Sequence, residues 1–335
     1  IDIQKGMDKS RFNFGFGYYS QEGTIKHSGI KRYSANFGFQ SEILKNVTLQ
    51  ASLRPTFIDQ NRAVTGGDRD PDVTGISLWA NPVMSPYDDH GKIKPYIVTP
   101  ASIYNTTWSF ANPLFVLQER KRDYQEIRNL GNAALEWSPI ENLKLRSTIS
   151  TVVSVSKYNQ YIPSTIGGSN NPPAPGRGAA GQSYGNSFNW LIENTASYSK
   201  TMNQHSFSGL VGYTTQKSKG NGMNLNAGPY ANDLITTINA APGITSWGES
   251  VETWSMISYL GRLNYAFKDR YLFTATLRSD GSSRFGTSNR FALFPSAAFA
   301  WKISDEAFIK AIPVIDQMKL RASYGKSGNN NIGNY

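Results

Sequence analysis

The feature that most constrains this chain is a two-residue rhythm of apolar and polar side chains that recurs along most of its length. Between 47 and 57, Val47, Leu49, Ala51, Leu53 and Phe57 alternate with Thr48, Gln50, Ser52, Arg54 and Thr56. Successive side chains of an extended strand point to opposite faces, so this run is a strand with one oily and one polar side. Phe12, Phe14, Phe16 and Tyr18 stand the same way against Arg11 and Asn13, and Tyr33, Ala35, Phe37 and Phe39 form the next oily row. Leu143, Leu145, Ile149, Val153 and Val155 oppose Lys144, Arg146, Thr148, Ser150 and Ser154. With 124–137, 188–200, 205–216, 253–267, 271–280, 291–301 and 318–325, about eleven strands of roughly ten residues are predicted.

Long and short connections take turns. Stretches 59–123, 158–185 and 217–252 lack sustained alternation and are expected to be long loops, whereas 42–46, 138–142, 201–204 and 268–270 are tight turns. A transmembrane β-barrel carries its long loops on one side and its short turns on the other, and roughly ten tilted residues cross a bilayer. The 303–317 connection falls on the turn side but is longer, and 305–310 is expected to form one helical turn. No apolar run approaches the roughly 18 residues that a spanning helix needs.

Composition decides between classes. Aromatic residues make up 13% of the 335, and Tyr and Phe are spread along the chain, as a lipid-facing barrel with interfacial rings requires. A net charge of +10 raises nucleic acid as a partner, but Arg11, Arg32, Arg54, Arg128, Arg146, Arg262, Arg278 and Arg321 sit singly on polar strand faces. Nucleic-acid binding needs a clustered patch, so lumen and rim charges are the expectation and no nucleic acid is expected. The absence of cysteine excludes disulfides, thiolate metal sites and cysteine nucleophiles.

Several motifs carry a resemblance. Arg278, Asp280, Gly281, Ser282, Ser283, Arg284, Phe285 and Gly286 form an Arg-Ser-Asp-Gly-Ser-Ser-Arg-Phe-Gly run. Phe294, Pro295 and Ser296 open a Phe-Pro-Ser-Ala-Ala-Phe-Ala-Trp segment, and Lys319, Leu320 and Arg321 open Lys-Leu-Arg-Ala-Ser-Tyr-Gly-Lys-Ser-Gly-Asn. In this order and spacing they resemble the barrel signature of the SusC/RagA family, TonB-dependent outer-membrane transporters of Bacteroidota. The resemblance covers most of the chain. It implies an all-β fold, part of a larger antiparallel barrel whose plug and TonB box lie outside these residues. It also implies a SusD-like surface lipoprotein over the outer loops, contact with TonB through a region outside this chain, outer-membrane lipid around the wall, and a glycan or peptide substrate. An odd number of strands leaves sheet edges that a bilayer does not tolerate, so further strands are expected from a longer polypeptide.

Chemistry-bearing candidates are few. Asp68, Asp70 and Asp72 are spaced like the first ligands of a calcium loop. Val73 stands where that loop needs glycine, Trp79 where it needs glutamate, and Pro71 interrupts, so a solvated turn is the expectation and calcium the one candidate cofactor. His27, His90 and His205 are far apart in sequence, and no catalytic residue is expected. Asp280 and Arg284 are expected to pair across a 280–290 hairpin tip. Arg54, Arg128, Arg146 and Arg262, with Arg278 and Arg321, are expected on the polar inner wall. Trp79, Trp108 and Trp247, placed in long loops, are candidates for substrate or lid contact.

The expected function is TonB-dependent import of oligosaccharides or peptides across the bacterial outer membrane, without catalysis. Two other readings stay open. A passive porin or secretion channel shares the alternation but not the plug, and a soluble all-β carbohydrate-binding domain would need the oily rows in a closed core.

Overall fold

Among the described residues fourteen strands form in chain order: β1 (Asp2–Met7), β2 (Ser10–Glu22), β3 (Gly29–Leu44), β4 (Val47–Asn61), β5 (Tyr96–Thr99), β6 (Trp108–Ala111), β7 (Lys121–Trp137), β8 (Leu143–Ile162), β9 (Gly178–Met202), β10 (His205–Tyr230), β11 (Ile244–Phe267), β12 (Tyr271–Ser282), β13 (Phe291–Lys302) and β14 (Lys319–Gly325). β5 and β6 pair with each other; the other twelve make one antiparallel meander, each bonded to its neighbours in sequence, with β1 and β14 at the edges. The computed structural model describes residues 1–63, 73–80, 82–99, 108–166, 178–312 and 314–333, without the side chains of Trp79, Thr99, Trp108 and Ser109.

Register carries the alternation across the sheet. Phe14 lies opposite Phe37, Phe37 opposite Leu53, Leu53 opposite Gly131 and Phe57 opposite Ile127. Tyr213 lies opposite Tyr259, Tyr265 opposite Phe273, and Phe273 opposite Phe299. Rings meet in cross-strand pairs, Phe14–Phe37 at 5.0 Å and Phe273–Phe299 at 4.8 Å between centroids. Such pairs stabilise a sheet by roughly 0.2–1 kcal/mol each. Phe14, Val153, Tyr259 and Phe273 all remain exposed. In water a contiguous face of this kind would be an aggregation surface; in hydrocarbon it is the solvated side.

The compact apolar clusters lie at the long-connection end of the sheet. Val73, Ile76, Ala111, Val116 and Ile166 form one buried cluster, joining the helices Val73–Trp79 and Pro113–Glu119 to the end of β8. Asn112 caps the second helix by accepting from the Leu114 amide at 3.1 Å, with Pro113 at its first position. Tyr161, Ala180 and Tyr230 form a second cluster at the same end of the sheet.

The structure departs from the sequence reading in extent more than in kind. Twelve strands stand in the main sheet where about eleven were expected. β1 adds the extra one, pairing Phe14 with Ile3 and Phe12 with Lys5. The expected loop 59–123 holds β5, β6 and both helices, and β8 and β9 run into the expected loop 158–185. The expected loop 217–252 is mostly strand: β10 and β11 continue as a paired ribbon, and the connection proper is 231–243. Lys217, Lys219, Asn221 and Asn224 lack an oily row, so this paired ribbon carries no period of two to mark it as strand. Asp280, Gly281 and Ser282 belong to β12, not to the hairpin tip, since Asp280 pairs with Ala292 and Gly281 with Phe291. The turn expected at 305–310 is present as a 3-10 turn Ile303–Asp305 followed by a helix Ala307–Lys310.

Candidate functional site

The polar face is a hydrogen-bonded lattice. Arg54 Nε donates to Asn36 Oδ1 at 3.2 Å. Arg146 reaches Glu136 at 3.2 Å and Gln50 at 3.0 Å, and Lys144 joins the same carboxylate at 3.3 Å. Arg262 donates to Thr276 at 3.3 Å, while Asn264 donates to Ser208 at 3.1 Å and accepts from Thr274 at 2.9 Å. Arg278 meets Asp280 at 2.7 Å and Ser258 at 3.2 Å. Register puts Arg128 opposite Ser154 and Arg321 opposite Ala300 on this face. All six arginines therefore share one side, away from the ring pairs. A wall lined with guanidinium, amide and hydroxyl groups offers many weak contacts to a hydrated solute.

The 278–286 run is a structural staple. Asp280 pairs with Arg278 on its own strand and not, as expected, with Arg284. Arg284 instead lies 4.9 Å over the Trp254 ring, donates to the Asn330 carbonyl at 3.1 Å and reaches Glu252 at 3.4 Å. Ser283 binds Ser255 through both amides' partners, Ser283 N to Ser255 O and Ser255 N to Ser283 Oγ, each at 2.9 Å. A Cβ on Gly281 would meet the Phe291 ring at 2.5 Å, so glycine lets that ring lie flat across the strand pair. Phe285 donates to the Ser282 carbonyl at 3.3 Å, and Gly286 opens the turn Thr287–Asn289. Leu277 faces Pro295, Thr276 faces Ser296, Trp301 faces Leu320 and Lys302 faces Lys319, so the three motifs are neighbours in the sheet.

At the long-connection end, Asp233 ties the 231–243 loop down. It accepts from Tyr161 OH at 2.7 Å, Ser164 N at 2.9 Å and Ser164 Oγ at 2.6 Å. Burial pushes this carboxyl up, but the hydrogen bonds from Ser164 and Tyr161 together outweigh it and hold the pKa below the ordinary value. At the opposite end, Glu306 accepts from Tyr271 OH at 2.7 Å, Arg270 at 3.1 Å and Trp301 Nε1 at 3.2 Å, which closes the turn after β11 onto the turn after β13.

Some candidates fall elsewhere. Asp68, Asp70 and Asp72 lie outside the described residues, as do the side chains of Trp79 and Trp108, whose backbones close a helix and open β6. Trp247 stands on β11 opposite Leu225, 73% exposed, and not in a loop. Among the described residues no three His, Cys, Asp or Glu side chains cluster as metal ligands. The sequence reading passed over Gly181-Gln-Ser-Tyr-Gly185, which has the form of a hydrolase nucleophile elbow. That motif needs a strand-to-helix turn, whereas Ser183 sits inside β9, paired with Tyr158 and Asn224. The reading also missed Glu306 and Asp233 as anchors, because Tyr271 and Tyr161, which donate to them, lie 35 and 72 residues away.

A family model described as TonB dependent receptor-like, beta-barrel matches residues 65–335. The chain belongs to the TonB-dependent receptor β-barrel family. It is similar to TonB-dependent receptor P26 of Formosa agariphila, 29% identical over all of this chain and 33% of that protein. It is also similar to TonB-dependent receptor SusC of Bacteroides thetaiotaomicron, 27% identical over 99% of this chain and 34% of that protein. Among solved structures, the RagAB peptide transporter superposes over 100% of this chain and 37% of that chain, with TM-score 0.82 at 21% identity, which shows a common fold. This TonB-dependent receptor barrel chain spans about a third of the length of the curated relatives it matches. Its relatives from Formosa and Bacteroides bear out the SusC/RagA resemblance, and its twelve strands are a partial barrel whose family is of the outer membrane. None of its described helices is long and apolar enough to cross a membrane.

Proposed function

We propose that this chain is wall and outer rim of a TonB-dependent outer-membrane importer of oligosaccharides or peptides, working with a SusD-like surface lipoprotein and catalysing no reaction. One observation carries the reading: a two-faced antiparallel sheet with its oily rings on one side, its arginine, amide and hydroxyl lattice on the other, and long connections gathered at one end, with 303–318 the exception at the other. In this reading the lattice lines the lumen, and Arg54, Arg128, Arg146, Arg262, Arg278 and Arg321 contact passing solute. Further strands cover the β1 and β14 edges, because unpaired backbone is not tolerated in hydrocarbon. The long-connection end, with Trp247 and the 231–243 loop, faces the lipoprotein and the incoming nutrient.

Uptake in cells tests the reading. Deletion of the full-length gene should abolish growth on the cognate glycan or peptide. Collapse of the proton motive force should stop uptake in the complemented strain. Uptake that continues without that force identifies a passive pore instead.

A further inference from the structure

At the outer end of the polar face, three arginines stand together with no carboxylate paired to them among the described residues. Arg62 follows β4 and Arg122 lies on β7, joined where the Arg62 amide donates to the Arg122 carbonyl at 2.9 Å. Arg120 is two residues earlier, at the end of the helix Pro113–Glu119. Like charges placed directly across a strand pair are unfavourable. The five ion pairs among the described residues involve other arginines and lysines, and none of these three.

The groups that touch them are neutral and polar, and the nearest carboxylate met through these contacts is Glu126, which accepts from Tyr124 OH at 3.0 Å. Arg62 lies 3.7 Å over the Tyr124 ring and donates to Gln60 at 2.9 Å. Arg122 donates to Tyr158 OH at 2.6 Å, and Arg120 to Gln160 at 3.3 Å. Arg120 Nε and Nη1 are shut off from solvent and meet no acceptor. A buried guanidinium without counter-charge costs free energy and projects a positive potential into the nearest opening. The solvent-facing groups next to it are exposed Arg62 and half-buried Arg122. Burial, with the adjacent Arg122 charge second, lowers the Arg120 pKa to about 10, so the guanidinium stays charged at neutral pH.

We propose that Arg62 and Arg122, in the field of half-buried Arg120, form an anion subsite at the lumen's outer mouth that receives the carboxylate of a uronate-bearing oligosaccharide. A planar carboxylate matches the guanidinium fork, and the flanking amides and phenol hydroxyls match a sugar's hydroxyls. The inference rests on the transport reading above and names its substrate class.

The test is calorimetric titration of the purified full-length protein with a uronate tetrasaccharide and with its carboxyl-reduced neutral counterpart. The wild type should prefer the uronate by about tenfold, less at high salt. Arg62→Gln should shrink that preference to about twofold, and Arg62/Arg122→Gln should erase it while heat-modifiable gel mobility reports an intact barrel. Arg62→Lys should keep part of the preference. Equal affinity for the two sugars, no uronate binding, a preference that survives in the double variant, or tighter binding of an acidic tetrapeptide overturns the proposal. If uptake remains dependent on proton motive force in that event, only the anion subsite falls; if uptake is independent of it, the transport reading falls.

Discussion

Arg278 donates to Asp280 at 2.7 Å from two positions earlier on β12, and its other nitrogen reaches Ser258 on β11 at 3.2 Å. The pair is possible because a strand returns to the same face every second residue, and Ser258 lies opposite Asp280 in register. Its side chains are 40% and 24% exposed, so water screens the attraction. Asp280→Asn should cost no more than about 1 kcal/mol. Urea unfolding of the barrel in detergent checks this, and a loss several times larger would show the pair acting as a buried one.

Glu306 should confer an acid-sensitive stability. Its pKa lies below the ordinary value near 4.5, chiefly through the hydrogen bond from Tyr271 and next that from Trp301. A depressed carboxyl stabilises the fold fully above its unfolded pKa, and that contribution drains away as pH falls through the folded value. Glu306→Gln should lower the melting temperature at pH 7 and narrow the gap from wild type below about pH 4. Parallel melting curves across that range would rule this out.

Asp233→Asn should free the 231–243 connection without unfolding the wall. The Tyr161 hydroxyl and both Ser164 donors would lose a charged acceptor, a local cost of roughly 1–3 kcal/mol. Limited proteolysis should cut the variant faster between β10 and β11, with unchanged heat-modifiable mobility. Equal cleavage rates would place the loop's anchor elsewhere.

Leu263 sits in the oily face between Gly209 on β10 and Ala275 on β12, and is 55% exposed. Leu263→Arg should destabilise the barrel in lipid vesicles by about 2–4 kcal/mol, the cost of a charge near the bilayer midplane. In a soluble fold an exposed Leu263→Arg would be nearly silent. Reversible unfolding in vesicles separates the two.

The hairpin turns were legible because their cue is local: Asn46, Asn142 and Asn203 take positive φ at short connections, a conformation asparagine tolerates. Trp247 was misplaced because the first half of β11 lacks the oily rhythm of its second half, so a strand there looks like a loop. β1 was missed because six residues with Lys5 facing Phe12 give no clean period.

Sequence alone determined eleven of the twelve strands of the main sheet, which side chains share a face, and which end bears most of the long connections. Each follows from a period of two or from the spacing between periodic runs. Only tertiary structure decided which residues meet across strands. Arg62 finds Arg122, Arg270 finds Glu306, and Asp233 finds Tyr161 because pairing register and loop folding bring distant positions together. Alternation says which way a side chain points; the closing of neighbouring strands settles what it touches.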